Sequence, residues 1–291
     1  MRKNINFLLI TLLLFGACSK APWESYQPPV DPAAQNPDQE PEPEPEPEPE
    51  ETGILRVVSI GINNKNADYV RLVNMIKDEK ADLVVLREVD KNNTRTGIDI
   101  NQAEVIAGDV GMQYVFAPQL DNYNSGQFGL AVLSKWPIEE SWIAKLPVGP
   151  VLKGDERPLA YLKVNYEDDI DIAFFGLHLD DGSNANRRLE NRPIQAAALL
   201  DYIKDIDIPT IVAGNFFFQN TGNDALPQSY LDELISPCMP CQPTVSMHGA
   251  DFIADHVLYK NIDPIKLRSY KLGAEISGRK PAIAEFKLVE P

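Results

Sequence analysis

The sequence predicts an α/β sandwich: two β-sheets packed face to face, with helices outside. Two observations support this. From Ile54 onward, short apolar or alternating runs of strand length outnumber the stretches with helical spacing. Helices separate some of these strands but not all, which argues against the strict alternation of a doubly wound parallel sheet. No internal repeat is visible.

Leu55–Ile62 alternates as a buried strand. Val70, Val73 and Ile76 recur at helical spacing and mark a helix over Ala67–Lys80. Leu83–Leu86 is a short buried strand ending at Arg87-Glu88. Asn101–Val110 suits a helix, and Gly111-Met112-Gln113 leads into a strand at Tyr114–Ala117. Phe128–Ser134, Ile138–Leu146, Arg157–Tyr166 and Ile170–His178 form a run of strands. Asn186–Ile206 is mostly helical, with Pro193 expected close to its true start because proline is tolerated in a first turn. Within Pro209–Phe218, the apolar run Ile211 to Ala213 ends at Gly214 and delivers Asn215 to a sheet edge. An irregular segment with Cys238 and Cys241 follows, then strands near Phe252–Tyr259, Ile265–Lys271 and Ala282–Leu288.

The 291 residues suffice for one large domain plus an appendage. Net charge is −16, unevenly spread: residues 1–53 hold ten acidic and three basic residues, leaving 33 acidic against 24 basic beyond. A body this acidic is a poor non-specific DNA binder, which needs Lys and Arg to neutralise phosphates.

Residues 1–17 have the form of a targeting signal: Arg2 and Lys3, then an apolar core at Phe7–Phe15 too short to span a bilayer. Leu14-Phe15-Gly16-Ala17-Cys18 resembles the bacterial lipobox, which implies cleavage before Cys18 and acylation there. The expected location is the bacterial cell envelope, lipid-anchored to a membrane, with the chain monomeric. Residues 18–53 suit an extended tether, since the alternating Pro and Glu of residues 41–50 enforce a polyproline-type chain stiffened by repulsion. Residues 54–291 are then the folded domain. In an exported compartment Cys238 and Cys241 are candidates for a local disulfide, with free thiols the alternative; a zinc site would need two more ligands.

The order of short motifs resembles the endonuclease/exonuclease/phosphatase superfamily over essentially all of residues 54–290. The family's opening strand ends Ser-Tyr-Asn-Ile; here it is Ser59-Ile60-Gly61-Ile62. Its Leu-Gln-Glu-Val-Asp becomes Leu86-Arg87-Glu88-Val89-Asp90, and its Thr-His-Leu-Asp becomes Leu177-His178-Leu179-Asp180. Arg157, Gly111-Met112, the Gly129–Pro137 stretch and the helix pair Arg192 and Gln195 also match. Gly-Asp-Phe-Asn becomes Gly214-Asn215-Phe216-Phe217, Ile-Asp-Tyr-Ile becomes Ala254-Asp255-His256-Val257, and Ser-Asp-His-x-Pro becomes Ser277-Gly278-Arg279-Lys280-Pro281. The resemblance implies a four-layer α/β/β/α sandwich of two packed mixed β-sheets flanked by helices.

It also implies chemistry that this sequence has edited. The family hydrolyses phosphate esters with Mg²⁺ or Mn²⁺, and Glu88 stands where it places its metal ligand, leaving at most a weak site. Gly61 has no side chain to support metal or phosphate, and Asn63 would sit displaced along the strand. Asn215 is neutral where the family has the Asp that orients water. Arg279 replaces the closing His and cannot act as a base, leaving an expected Asp255–Arg279 pair; that bridge with Phe217 filling the pocket would favour a binder over an enzyme. His178, Asn215, Asp255 and Arg157 are thus the vestigial catalytic candidates, and Arg279 a candidate binding residue. Asp180-Asp181-Gly182 looks calcium-like but lacks the remaining ligand spacing, and His248 is assigned nothing. The expectation is a binding module in the old cleft with a phosphate-containing or anionic ligand; the alternative is a surviving Mg²⁺-dependent phosphodiesterase or phosphatase.

Overall fold

The computed structural model describes residues 53–62, 68–166, 170–260, 263 and 265–288. The signal segment, Cys18, the tether up to residue 52 and Asn63 lie outside them. The elements in chain order are β1 (Ile54–Gly61), α1 (Tyr69–Asp78), β2 (Leu83–Asn93), β3 (Gly97–Asn101), α2 (Gln102–Val110), β4 (Gln113–Tyr123), β5 (Gly126–Ser134), β6 (Ile138–Leu146), β7 (Arg157–Asn165), β8 (Asp171–His178), α3 (Ala185–Ile203), β9 (Thr210–Phe218), α4 (Gln228–Glu233), β10 (Val245–Met247), β11 (Ala250–Lys260), β12 (Ile265–Leu272) and β13 (Ala282–Leu288).

Two mixed sheets form. One runs β12-β13-β1-β2-β5-β4, with β3 paired to β2, and the other runs β10-β11-β9-β8-β7-β6. Strand alternation sorts the side chains into layers. Leu55 and Val57, Leu83 and Val85, Ile211 and Ala213, and Val257 and Tyr259 share one apolar cluster between the sheets. Val58, Ile60, Val84 and Leu86 point the other way, onto α1 and α2. Phe175, Leu177, Val212 and Leu258 pack on α3 and α4. The result is the expected four-layer α/β/β/α sandwich. Among the described residues no helix is long and apolar enough to cross a membrane.

The same alternation explains the position of the polar residues. Ser59 continues the inward series of Leu55 and Val57, and Arg87 that of Leu83 and Val85. Asn215 follows Ile211 and Ala213, and Asp255 precedes Val257 and Tyr259. Register then aligns them: Gly61 pairs with Arg87, while Asn215 pairs with His178 on one side and Asp255 on the other. The apolar inter-sheet layer therefore ends in a cluster of polar and charged groups.

Two sequence expectations need correction. Helix α3 does not start near Pro193 but runs from Ala185 with Pro193 inside it. Its N-cap is Asn184, whose side chain accepts from the Arg187 backbone N–H. Buried Arg188, Asn191, Arg192 and Gln195 hold it against the sheet, which offsets the one backbone bond that proline removes. Strand β9 is buried as expected, with β8 and β11 on either side, but it does not end at Asn215: it runs to Phe218, three residues further. Finally, β3, α4 and β10 occupy segments where periodicity is too short to announce them.

Candidate functional site

A bulge starts the site. Between Arg87 and Val89 the β2–β5 register slips, and Glu88 takes a left-handed φ of 62°. This breaks the alternation that sends neighbours to opposite faces, so Arg87 Nη1 and Glu88 Oε1 lie 3.7 Å apart. Arg87 is fully buried and bidentate on Asp255, with Nε to Oδ1 at 2.9 Å and Nη2 to Oδ2 at 2.5 Å. Ser59 Oγ donates to the same Oδ1 at 2.8 Å. Burial opposes the Arg87 charge, but Asp255, Glu88 and Asp181 more than offset it and raise its pKa.

The expected Asp255–Arg279 pair is therefore not formed. Arg87 reaches Asp255 first, because inward alternation in one sheet places it opposite the inward Asp255 of the other. Arg279 turns instead to Glu88, donating from Nη2 to Oε1 at 2.8 Å, and its Nη1 contacts Met247 Sδ at 3.0 Å. Gly61 is what admits this arrangement. A Cβ there would lie 2.7 Å from Arg87 Nη2 and 3.3 Å from Glu88 Oε1. A side chain at position 61 and a guanidinium at position 87 compete for the same space.

A second group surrounds Asp181, in the loop between β8 and α3. Its Oδ2 accepts from His178 Nε2 at 2.9 Å and from Asn215 Nδ2 at 2.9 Å. Its Oδ1 lies 3.4 Å from Arg157 Nη2. Burial would raise the Asp181 pKa, yet His178, Arg157 and Arg87 hold it far below the usual carboxylate range. Next to it, Asp180 is buried and accepts from Arg157 Nη2 at 3.0 Å, Asn191 Nδ2 at 2.7 Å, Arg187 Nε at 3.0 Å and the Gly182 N–H at 3.0 Å. Those two carboxylates are thus an anion pair inside a cationic and amide frame, not a calcium loop.

Phe217 does not fill the cleft alone. It stacks on Phe252 with ring centroids 4.1 Å apart, in a small cluster with Val245 and Ala254 under the β10–β11 hairpin. Arg192 Nη1 donates to its carbonyl, and Arg192 and Arg188 both pair with Asp224. The hairpin closes over the site: Met247 meets Arg279, and His248 Nε2 meets the Asp181 carbonyl at 3.0 Å. His256 faces away from Asp255, between Phe216 and Phe218, with Ser236 Oγ at 3.0 Å on Nε2 and Tyr270 Oη at 3.1 Å on Nδ1. Burial pushes its pKa down to about 3.

The structure thus brings His178, Asn215 and Arg157 together around Asp181, and Glu88, Asp255 and Arg279 around Arg87. Sequence reading missed the bridge from Arg87 to Asp255 and dismissed Asp181. The available signals were the paired change of Asn to Gly61 and Gln to Arg87, and an acidic residue three positions after His178. Mg²⁺ fits this donor set poorly. Its one matched carboxylate, Glu88, already bonds Arg279 and faces Arg87, and two guanidinium charges beside it repel a divalent ion. Among the described residues, the three-residue grouping close enough to hold an ion is Cys238, Cys241 and His256, and there the two sulfurs are joined in a disulfide.

The sequence model of the family described as "PGAP2IP, C-terminal nuclease-like domain" matches residues 51–230. No curated protein matches the sequence. Among solved structures, an endonuclease/exonuclease/phosphatase from Beutenbergia cavernae DSM 12333 superposes with a TM-score of 0.65 at 19% identity, covering 81% of this chain and 72% of that one. A family protein from Leptotrichia buccalis C-1013-b gives 0.63 at 16% identity, covering 81% and 100%. The human Nocturnin catalytic domain with bound sulfate anion gives 0.60 at 16% identity, covering 81% and 95%. At these identities the superpositions speak for the fold, and the matched residues 51–230 speak for descent: the chain belongs to the endonuclease/exonuclease/phosphatase family, in the group described as PGAP2IP, C-terminal nuclease-like domain.

Proposed function

We propose that this nuclease/phosphatase-like domain is held at a bacterial membrane through acylated Cys18 and uses its former active-site cleft to bind an anionic or phosphate-containing ligand without hydrolysing it. One observation carries the reading. Each family carboxylate is held by an arginine, Glu88 by Arg279 at 2.8 Å and Asp255 by Arg87 at 2.5 Å. Family members are generally metal-dependent, and a permanently charged guanidinium in place of a cation and a base neither activates water nor accepts a proton. Asn215 supports the same reading, since its amide holds a partner but takes no proton. Nocturnin, similar in fold, was solved with bound sulfate. We extend that class of ligand to this chain.

The test is a phosphoesterase panel with Mg²⁺ and with Mn²⁺ on the purified protein. The expected result is background turnover, unchanged by chelator and by Glu88→Ala. Metal-dependent turnover abolished by Glu88→Ala or His178→Ala overturns the proposal and establishes a rearranged phosphodiesterase instead.

A further inference from the structure

We infer that the cleft contains a seat for a single oxyanion group, formed by His178 Nε2, Asn215 Nδ2 and Arg157 Nη2, and that the Asp181 carboxylate is its built-in occupant, which an external ligand must displace. This deepens the binding reading above and rests on it.

The geometry is that of a bound anion. Two N–H donors converge on one carboxylate oxygen at 2.9 Å each, and a guanidinium nitrogen lies 3.4 Å from the other. The donors come from three separate strands, β7, β8 and β9. Their backbone positions are set by strand pairing, His178 opposite Asn215 and Arg157 opposite Leu146. The seat also holds unspent capacity. Arg157 Nε, a donor, is buried without a protein hydrogen-bond partner. Such a group is costly unless something completes it.

Asp181 can leave without unfolding the loop. Its backbone is fixed on both sides: before it, the Leu179 N–H bonds the Asn215 carbonyl at 2.9 Å and Asp180 is clamped by Arg157, Asn191 and Arg187; after it, the Gly182 N–H bonds Asp180 Oδ1 at 3.0 Å and the Gly182 carbonyl accepts from Arg188 Nη1 at 2.7 Å. Its own carbonyl contacts His248. The side chain is 18% exposed, so it lies at the solvent side of the seat, and displacement requires it to rotate outward while the backbone stays. Release exposes a positive frame backed by Arg87, which suits phosphate, sulfate or carboxylate. Rotation of a tethered competitor reduces the apparent affinity by the fraction of time the seat is open.

The experiment measures binding of sodium sulfate, inorganic phosphate and sodium acetate, separately, to the full chain at constant ionic strength. Wild type, Asp181→Ala and the near-isosteric Asp181→Asn are compared by calorimetric titration. We expect Asp181→Ala to tighten binding of at least one anion by about tenfold or more, with Asp181→Asn also tighter than wild type. Gain for sulfate and phosphate alone identifies a tetrahedral oxyanion; gain for acetate identifies a carboxylate. Adding Asn215→Leu to Asp181→Ala must remove the gain, since a mere change in local charge would survive that substitution. Should Asp181→Ala not fold, Asp181→Asn and wild type still decide, because wild-type binding must be weaker. No tightening of any of the three anions in a folded variant, or tightening that persists with Asn215→Leu, refutes the seat. Metal-dependent phosphodiester turnover by Asp181→Ala would instead refute the non-hydrolytic reading and leave the seat standing.

Discussion

Substituting Gly61 with Asn restores the family residue, yet the structure makes it harmful here. Its Cβ would lie 2.7 Å from Arg87 Nη2 and 3.1 Å from Cζ. Arg87 has nowhere to go. Its side chain is 0% exposed and bidentate on an Asp255 that is itself fully buried. If Arg87 stays, the cost is overpacking, about 1–3 kcal/mol. If Arg87 leaves, Asp255 is stranded and the cost is that of breaking a buried pair, about 3–5 kcal/mol. The smaller of the two sets the outcome, so Gly61→Asn alone should lose about 1–3 kcal/mol, or roughly 2–12 °C in Tm for a domain of this size. Arg87→Gln alone should lose about 3–5 kcal/mol by stranding Asp255. Gln is shorter and vacates the space at Gly61, so the double substitution should be less damaging than the sum by about 0.5–3 kcal/mol. Urea denaturation of the four proteins in a double-mutant cycle measures this. Additivity within about 0.5 kcal/mol would refute the claim that the two positions compete for one space.

Restoring catalysis by Gly61→Asn, Asn215→Asp, Phe217→Asn, Gly278→Asp and Arg279→His should fail without Arg87→Gln, because the side chain introduced at position 61 collides with Arg87; only the six-fold variant should show Mg²⁺-dependent phosphodiester turnover in a release assay. Buried His256 stays neutral down to about pH 3. In the unfolded chain it protonates below about 6.5, so each unit of acidification in that window should favour unfolding by up to about 1.4 kcal/mol. His256→Gln should flatten the stability–pH slope between those limits relative to wild type, and an unchanged slope would count against the buried neutral ring. Reducing the Cys238–Cys241 bridge, which spans a sequence separation of 3, removes a short loop constraint. Chain entropy puts that at roughly 2 kcal/mol, measurable as a drop in urea midpoint with dithiol reductant that Cys238→Ser/Cys241→Ser abolishes. Cys18→Ser should release the protein from the membrane fraction, and wild type that fractionates as soluble would overturn the anchor.

Much of the fold was legible because period-two alternation and motif order are local properties. The inward series at Leu55 and Val57, and at Ile211 and Ala213, follow from strand geometry alone, as does the divergence of Asp255 and His256 to opposite faces. The replacements at Gly61, Asn215 and Arg279 were also visible, each as a loss of chemistry. Helix α3 was partly misread, since Pro193 is a local start signal outvoted by buried contacts of Arg188, Asn191 and Arg192 that no local pattern contains. What the tertiary structure decided was pairing. Arg87 and Asp255 are 168 positions apart, and Glu88 and Arg279 are 191 apart. Which guanidinium takes which carboxylate depends on sheet register, on the bulge at Glu88 and on the space at Gly61. Asp181 is the clearest case: in sequence it is one acid beside another, and only folding carries His178, Asn215 and Arg157 to its oxygens. Ion pairing and hydrogen bonding act over a few ångströms in space, whereas sequence records separation along the chain, so residue types could be read in advance and their partners could not.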